Sequence, residues 1–321
     1  MATIHLPRLG QPHVLVEAAG ERSILDLDRE AIIALYKDRG ALLFRGFGAD
    51  AAQFRDFAWG FCATSVFNES PGRQPIEPAR NIHTVDGGVG AFSLHPELSR
   101  EPWKPDIAFF ACLSAPSRGG ETVICDGVEM VRAMPAAVRE GLAGRRLLYI
   151  KPTWPELLDY WLGTPEPSDA ELTKTSADCP YSFHRVHGDI VRVFSRPALH
   201  RPMFTDAPAF GNFLLFARFN NGRPDFPVLD DGHPVPEAWL QAIRGTGEGI
   251  KVAVQWRPGD VLMLDNTRFM HGRNAILDPG ERLIATFFGY VDFARPDPEE
   301  PAHARWRRPG FRPPLPPQLA R

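Results

Sequence analysis

Eight short apolar or alternating runs, at 107–113, 122–125, 147–150, 190–194, 213–217, 250–256, 260–264 and 282–291, punctuate this chain of 321 residues. Runs this short, bounded by turn-forming residues, read as strands rather than helices. So many strands must close on themselves or pair with a second sheet to bury one face and protect their edges. The expected fold is therefore mainly β with flanking helices, built on a double-stranded β-helix (jelly roll) core. Helices gather toward the N-terminal half. One runs from Asp28 to Gly40 with an acidic start and a glycine stop, and another follows Asp50 with Phe54, Phe57, Ala58 and Phe61 on one face. Shorter ones are expected at 135–142 and 236–244, each opening on proline.

The length fits one elaborated domain, 1–293, followed by a Pro/Arg-rich C-terminal tail, 294–321. Within the domain, 151–236 is the least regular stretch, rich in Pro, Asp, Gly and aromatic residues such as Trp154, Trp161, Tyr181, Phe183 and Phe210. It is expected to be a lid-like insertion over the barrel mouth and to carry substrate selectivity; the stretch from Ser65 to Phe92 is the alternative. The composition of the tail disfavours a packed core. Three readings stay open: it wraps the domain, binds a partner subunit in a homo-oligomer, or is disordered. A net charge of −3 and a pI near 6.4 give no basic stripe for nucleic acid. Cys62, Cys112, Cys125 and Cys179 are scattered without a CxxC pair, and the first residues lack a basic region followed by an apolar core. No apolar stretch approaches the roughly 18 residues of a membrane span. Reduced thiols, a cytoplasmic location and no membrane partner are expected.

The chemistry is concentrated in His95-Pro96-Glu97 and in His271 of the run Asp265-Asn-Thr-Arg-Phe-Met-His-Gly-Arg273. On an extended strand, residues i and i+2 face the same side, so His95 and Glu97 can meet one cation while a later strand brings the third ligand. Two imidazoles and one carboxylate on one face of a metal leave the opposite face open, as in non-haem Fe(II) oxygenases. Alone, His-x-Glu is a weak signal, because a surface histidine near a glutamate is common. A second grouping, His184, His187 and Asp189, has a spacing that suits no single strand face. Neither a Gly-x-Ser-x-Gly nucleophile turn nor a Gly-x-Gly-x-x-Gly loop occurs, which disfavours Ser-His-Asp hydrolysis and dinucleotide-dependent hydride transfer.

After His95 and Glu97 come the apolar run Pro105–Leu113, the turn Ala115-Pro-Ser-Arg-Gly-Gly-Glu-Thr122, and a distal block from Gly259-Asp260-Val261 through Asp265-Asn266 to His271-Gly-Arg273, with Arg282 beyond. This order resembles the taurine dioxygenase-like (TauD/TfdA) family of Fe(II)/2-oxoglutarate-dependent oxygenases. Its HxE and HGR variants are similar to the clavaminate synthase-like and syringomycin-pathway aspartyl hydroxylase-like branch. The likeness runs from the Gly40–Phe47 segment to about Phe293. It implies that His95, Glu97 and His271 are the metal ligands and catalytic centre, with Fe(II), 2-oxoglutarate as cosubstrate, and O2. It also implies that Arg282, 11 positions after His271, meets the distal carboxylate of 2-oxoglutarate with its guanidinium fork. Thr122, 27 positions after His95, would add a hydroxyl. Arg273 either contacts the iron-bound end of the cosubstrate or braces its turn. Sulfonate-oxidising relatives carry a second arginine four residues beyond the cosubstrate arginine; this chain has Thr286 there. That departure speaks against a sulfonate, although Arg185, Arg192 or Arg196 of the insertion can still hold an anion.

The activity implied is hydroxylation of an unactivated C–H bond in a small molecule, an amino acid or an amino-acid-derived unit, free or bound to a carrier protein, in specialised (natural product) metabolism. Desaturation, epoxidation and cyclisation are alternatives on the same fold. A decayed jelly roll that only binds a ligand is the non-enzyme reading, and a zinc hydrolase shares His and Glu ligands. The complete set of His95, Glu97, His271 and Arg282 argues against decay.

Overall fold

The computed structural model describes residues 1–317 apart from 67, 69, 71, 279, 281 and 296. A nine-stranded sheet runs in the order Thr3–His5, Val14–Glu17, Ala41–Arg45, Val261–Asp265, Ile107–Ser114, Leu283–Val291, Ile82–Thr84 and Pro75–Glu77, with Cys62–Ser65 also paired to Leu283–Val291. A smaller sheet orders Val252–Ala253, Thr122–Asp126, Phe269–Arg273 and Phe92–His95.

Strand alternation explains why several of these segments are apolar throughout. In Ile107–Ser114, Ala108, Phe110 and Cys112 join one buried cluster while Ile107, Phe109 and Ala111 join another. Leu262 and Leu264 divide from Val261 and Met263 in the same way. A strand buried on both faces reads as a continuous hydrophobic run. The first cluster also holds Ile124 and Phe269 of the smaller sheet, so it includes the barrel interior, and it continues into the 151–236 segment and the tail through Trp161, Tyr181 and Trp306. The second lies under two helices, Arg29–Arg39 and Ala51–Trp59, which contribute Ile32, Ile33, Tyr36, Phe54 and Phe57. A third packs helices Gly127–Ala133, Ala136–Leu142 and Glu237–Ile250 against the outer face of the smaller sheet through Val123, Cys125 and Met270. Each large apolar side chain so buried contributes roughly 1.5–3 kcal/mol, and the site strands are therefore held from both sides.

Both N-terminal helices begin as the sequence predicts and the first also ends so, whereas the second stops at Trp59, short of Phe61. Asp28 and Asp50 accept from the amides of Glu30 and Gln53, and Gly40 closes the first helix at φ +76°.

Elsewhere local pattern misleads. Residues 213–217, expected as a strand, lie largely in a helix, Leu214–Phe219. Periodicity cannot separate a short buried helix from a strand; here Asn212 decides it, accepting from Leu214 N and donating to Ala198 O. The 151–236 segment is more regular than its composition implies. Much of it joins a third antiparallel sheet, ordered Ser182–Val186, Asp189–Pro197, Arg146–Pro152 and Val228–Leu229, beside helices Pro155–Leu162 and Asp169–Leu172. Its aromatic residues Trp161, Tyr181 and Phe183 are buried. The strand expected at 250–256 shrinks to Val252–Ala253, because the preceding helix continues past Arg244 to Ile250.

The tail lies against the domain. Ala304 and Trp306 are buried, Phe311 packs on Trp103, Arg305 pairs with Asp178, and Arg307 pairs with Asp106 and Glu300. Among the described residues, no helix is long and apolar enough to cross a membrane, and the four cysteines are free.

Candidate metal centre

Side-chain parity assembles the site. Phe269 faces the barrel interior, so His271 and Arg273 on the same strand face it too. In register, His271 sits opposite His95 on one neighbouring strand and Ile124 on the other, and Arg273 sits opposite Thr122. Across the barrel, Arg282 and Thr286 stand two positions either side of interior-facing Ile284.

The ligand atoms of His95, Glu97 and His271 all lie within 4.8 Å of one another, and no other such group is found among the described residues. His95 Nδ1 is 2.8 Å from Ser93 O. That contact makes Nδ1 the donor and leaves the Nε2 lone pair for a cation. His271 Nε2 is 3.8 Å from Glu97 Oε2. Burial lowers the pKa of both imidazoles; Glu97 opposes this at His95, whereas His95 and Arg73 reinforce it at His271. Neutral rings are the form that binds metal. Two such rings and a carboxylate, with Phe216 4.4 Å from the His95 ring and Phe110 5.0 Å from that of His271, suit a divalent iron with an apolar surround.

Glu97 arrives by a different route from the one expected. The strand Phe92–His95 ends at the first ligand, and Leu98 turns the chain at φ +51°. Asn266 then fixes Glu97: its Oδ1 accepts from Glu97 N at 2.8 Å, and its Nδ2 donates to Glu97 O at 3.2 Å and to Pro105 O at 2.9 Å. The only sequence signal for this clamp is the Asp265-Asn266 pair within the distal block. Arg73 was missed altogether. Its Nη2 lies 2.9 Å from Glu97 Oε2, its Nη1 donates to Thr286 Oγ1 at 3.0 Å, and its guanidinium is 4.7 Å from the Phe288 ring centre. It stands in an irregular stretch with no motif around it.

The three cosubstrate candidates separate on contacts. Arg282 Nε donates to Gly120 O at 2.7 Å, and among the described residues no carboxylate lies within ion-pair distance of it. Burial, with Arg273 nearby, brings its pKa down to about 10. Gly120, at φ +72°, lets the side chain pass where a Cβ would come within 2.9 Å of Arg282 Cδ. Thr122 Oγ1 accepts from Trp256 Nε1 at 3.1 Å, which leaves its own hydrogen to donate. Arg273 is instead consumed by a loop: it donates to Asp86 O, Gly88 O and Gly90 O and lies over Phe92. With its fork on carbonyls it braces residues 86–90, which favours the bracing alternative over a cosubstrate contact.

Of the insertion arginines, Arg185 pairs with Asp169 on an exposed hairpin, and Arg192 donates to Pro152 O beside Trp154 and Tyr181. Arg196 lines a separate cavity of about 740 Å³ together with Lys104, Asp106, His200, Trp306 and Arg307; none of the three metal-ligand candidates borders it. His184 and His187 are exposed and gather no ligand cluster among the described residues.

The taurine catabolism dioxygenase TauD, TfdA family matches residues 8–287. The chain is 23% identical over 324 residues to the dapdiamide synthesis protein DdaC of Enterobacter agglomerans, covering 92% of this chain and 96% of that one. It is 24% identical over 307 residues to a clavaminate synthase-like protein of Arabidopsis thaliana, with coverages of 89% and 90%. PvcB from Pseudomonas aeruginosa, described as an Fe, alpha-ketoglutarate dependent oxygenase from an isonitrile synthetic pathway, matches with a TM-score of 0.58 at 16% identity over 91% of this chain and 90% of its own. A taurine dioxygenase from Burkholderia xenovorans gives 0.60 at 16% identity, with the same coverages of 91% and 90%. These structures share the jelly-roll fold. With a family match spanning most of its length, the chain belongs to the TauD/TfdA family and is an oxidoreductase that works with Fe(II), 2-oxoglutarate and O2.

Proposed function

We propose that His95, Glu97 and His271 hold the iron, that Arg282 and Thr122 hold 2-oxoglutarate, and that the enzyme hydroxylates an unactivated C–H bond of an amino acid or amino-acid-derived small molecule in specialised metabolism. One observation carries the site assignment. Three ligand atoms converge within 4.8 Å on the barrel interior, while Arg282 offers a guanidinium without a carboxylate partner among the described residues. Iron, 2-oxoglutarate and oxygen supply the oxidising chemistry when bound, with succinate and carbon dioxide as coproducts.

The chain's share is placement. Burial keeps both imidazoles unprotonated, Ser93 O fixes the His95 tautomer, and Asn266 sets the backbone from which Glu97 reaches inward. Phe110 and Phe216 exclude water beside the two histidines. A place in specialised metabolism is supported by relatives described as acting in dapdiamide synthesis and in an isonitrile synthetic pathway; the amino-acid character is supported by the likeness of the HxE and HGR variants. Desaturation, epoxidation and cyclisation would start from the same site and differ in how the substrate carbon is held.

Anaerobic addition of Fe(II) and then 2-oxoglutarate tests the assignment. The wild-type protein should give a visible charge-transfer band that His271→Ala lacks; no band in the metal-loaded wild type would sink it. With oxygen admitted, a panel of amino acids should reveal one that stimulates succinate release and gains one oxygen atom.

A further inference from the structure

We propose that Arg73 binds a carboxylate of the substrate, seated in a small polar cavity beside the metal centre; this rests on the metal and cosubstrate roles proposed above. The cavity holds about 140 Å³, and its lining includes Asn68, Ser70, Arg73, His83, Thr286 and Phe288, with no carboxylate among the described residues. Whole small-molecule sites run to roughly 300–1,000 Å³, so this one takes an end group.

The guanidinium of Arg73 is held as a binding group would be. The side chain is only 9% exposed, and Phe288 fixes the plane of the fork. Two donors are engaged, Nη2 with Glu97 and Nη1 with Thr286, but Nε is buried with no hydrogen-bond partner among the described residues. Asp86 Oδ2 stands 3.9 Å from that Nε, beyond hydrogen-bonding range, and the Asp86 carboxylate already accepts from Ser70. Thr286 is spent as well, since its hydroxyl donates to His83 O. A buried donor left unmet carries a cost that a ligand oxygen would remove.

Charge gives a second, independent reason. Glu97 answers Arg73 here, yet the same carboxylate is a proposed ligand of a dication. Once its electron pairs are committed to the metal, two positive centres face each other across one carboxylate, in an interior where such repulsion is weakly screened. Asp86, 3.9 Å from Nε, offsets Arg73 only in part, and an anion in the adjoining cavity would complete the balance. A planar carboxylate matches the geometry of the fork, and the small volume favours it over a bulkier anion.

The test uses protein loaded with Fe(II) and saturating 2-oxoglutarate under argon, titrated with propionate or propionamide and read by perturbation of the visible band. Propionate should saturate, and propionamide should need at least tenfold more. Arg73→Gln should weaken propionate tenfold or more, Arg73→Lys less, and Thr286→Val least, while the dissociation constant for 2-oxoglutarate in Arg73→Gln changes by less than twofold. If Arg73→Gln does not fold, the Lys and Val variants carry the test, and unchanged propionate binding in both overturns the proposal. Equal propionate binding in wild type and Arg73→Gln overturns it as well. Collapse of 2-oxoglutarate binding in Arg73→Gln overturns it too, by making Arg73 a cosubstrate residue. A wild-type protein with no band overturns the metal-centre reading and this proposal together, whereas an intact band with no dependence on Arg73 overturns this proposal alone.

Discussion

The 140 Å³ cavity beside the metal centre and the 740 Å³ cavity under the C-terminal tail differ in how their charges are answered. In the larger one, Arg307 lies between Asp106 and Glu300, and Arg146 pairs with Glu299. The carboxylates there are permanent partners, and the pairs fasten the tail. In the smaller one, the sole partner of Arg73 at full ion-pair contact among the described residues is a carboxylate that a metal would claim. Under the proposed roles, the smaller cavity is the one that matters for chemistry. Groups whose present partners leave when a ligand arrives are the better guide.

The largest test of that contrast is His271→Ala. It should abolish Fe(II)-dependent succinate formation while far-UV circular dichroism stays as in wild type, since the residue lines an interior site and not the packed helix layers; retained activity would move the chemistry elsewhere. Next comes Arg282→Leu, which should weaken 2-oxoglutarate binding by about 2–5 kcal/mol if the charge pair is desolvated. Titration of the visible band measures it, and an unchanged constant would reopen the choice between Arg282 and other arginines.

The larger cavity supplies a prediction of a different kind. Lys104 is buried there, and burial, with Arg196 adding to it, brings its amine from 10.5 down to about 7. Between those values the unfolded chain binds the proton and the folded chain does not, so this group makes stability rise with pH across the window; its penalty is fully present below about pH 7. Lys104→Met should then stabilise by about 1–4 kcal/mol at acidic pH, with the gain shrinking toward pH 10 and metal and 2-oxoglutarate binding unaltered. Urea unfolding of both proteins across the range checks it, and a gain independent of pH would exonerate the lysine. The smallest effect belongs to Thr122→Val, which should cost about 1 kcal/mol in 2-oxoglutarate binding for one hydrogen bond, read from the same titration.

What could be read in advance follows from what is local. Period-two alternation sets the faces of whole strands, so a same-side pairing of His95 and Glu97 can be read from spacing, whereas Thr122 stands out only through the resemblance. Asp28 and Asp50 announced their helices because a cap acts on amides two or three residues away. Arg273 and Arg282, by contrast, look alike in sequence, each an arginine at a strand boundary; only the carbonyls at 86–90 reveal that one is already occupied. Glu97 does come near His95 and His271, but not by strand alternation, because its clamp, Asn266, is 169 positions away. Arg73 has no local signature at all, since Glu97, Thr286 and Phe288, which give it meaning, are distant in the chain.

The strand Leu283–Val291 acts as a ruler for two reactants. It begins beside Arg282 and carries Thr286, so the anchor proposed for the cosubstrate and the rim of the cavity proposed for the substrate are separated by four residues of extended chain, roughly 13 Å. Paired to Ile107–Ser114 along nearly its whole length, this spacing cannot be adjusted by the insertion or the tail. The interval between the two proposed anchors therefore stays constant whatever the 151–236 segment contributes. A single residue inserted between Arg282 and Thr286 would do the reverse, turning one anchor to the outer face and leaving two half-sites that no longer meet.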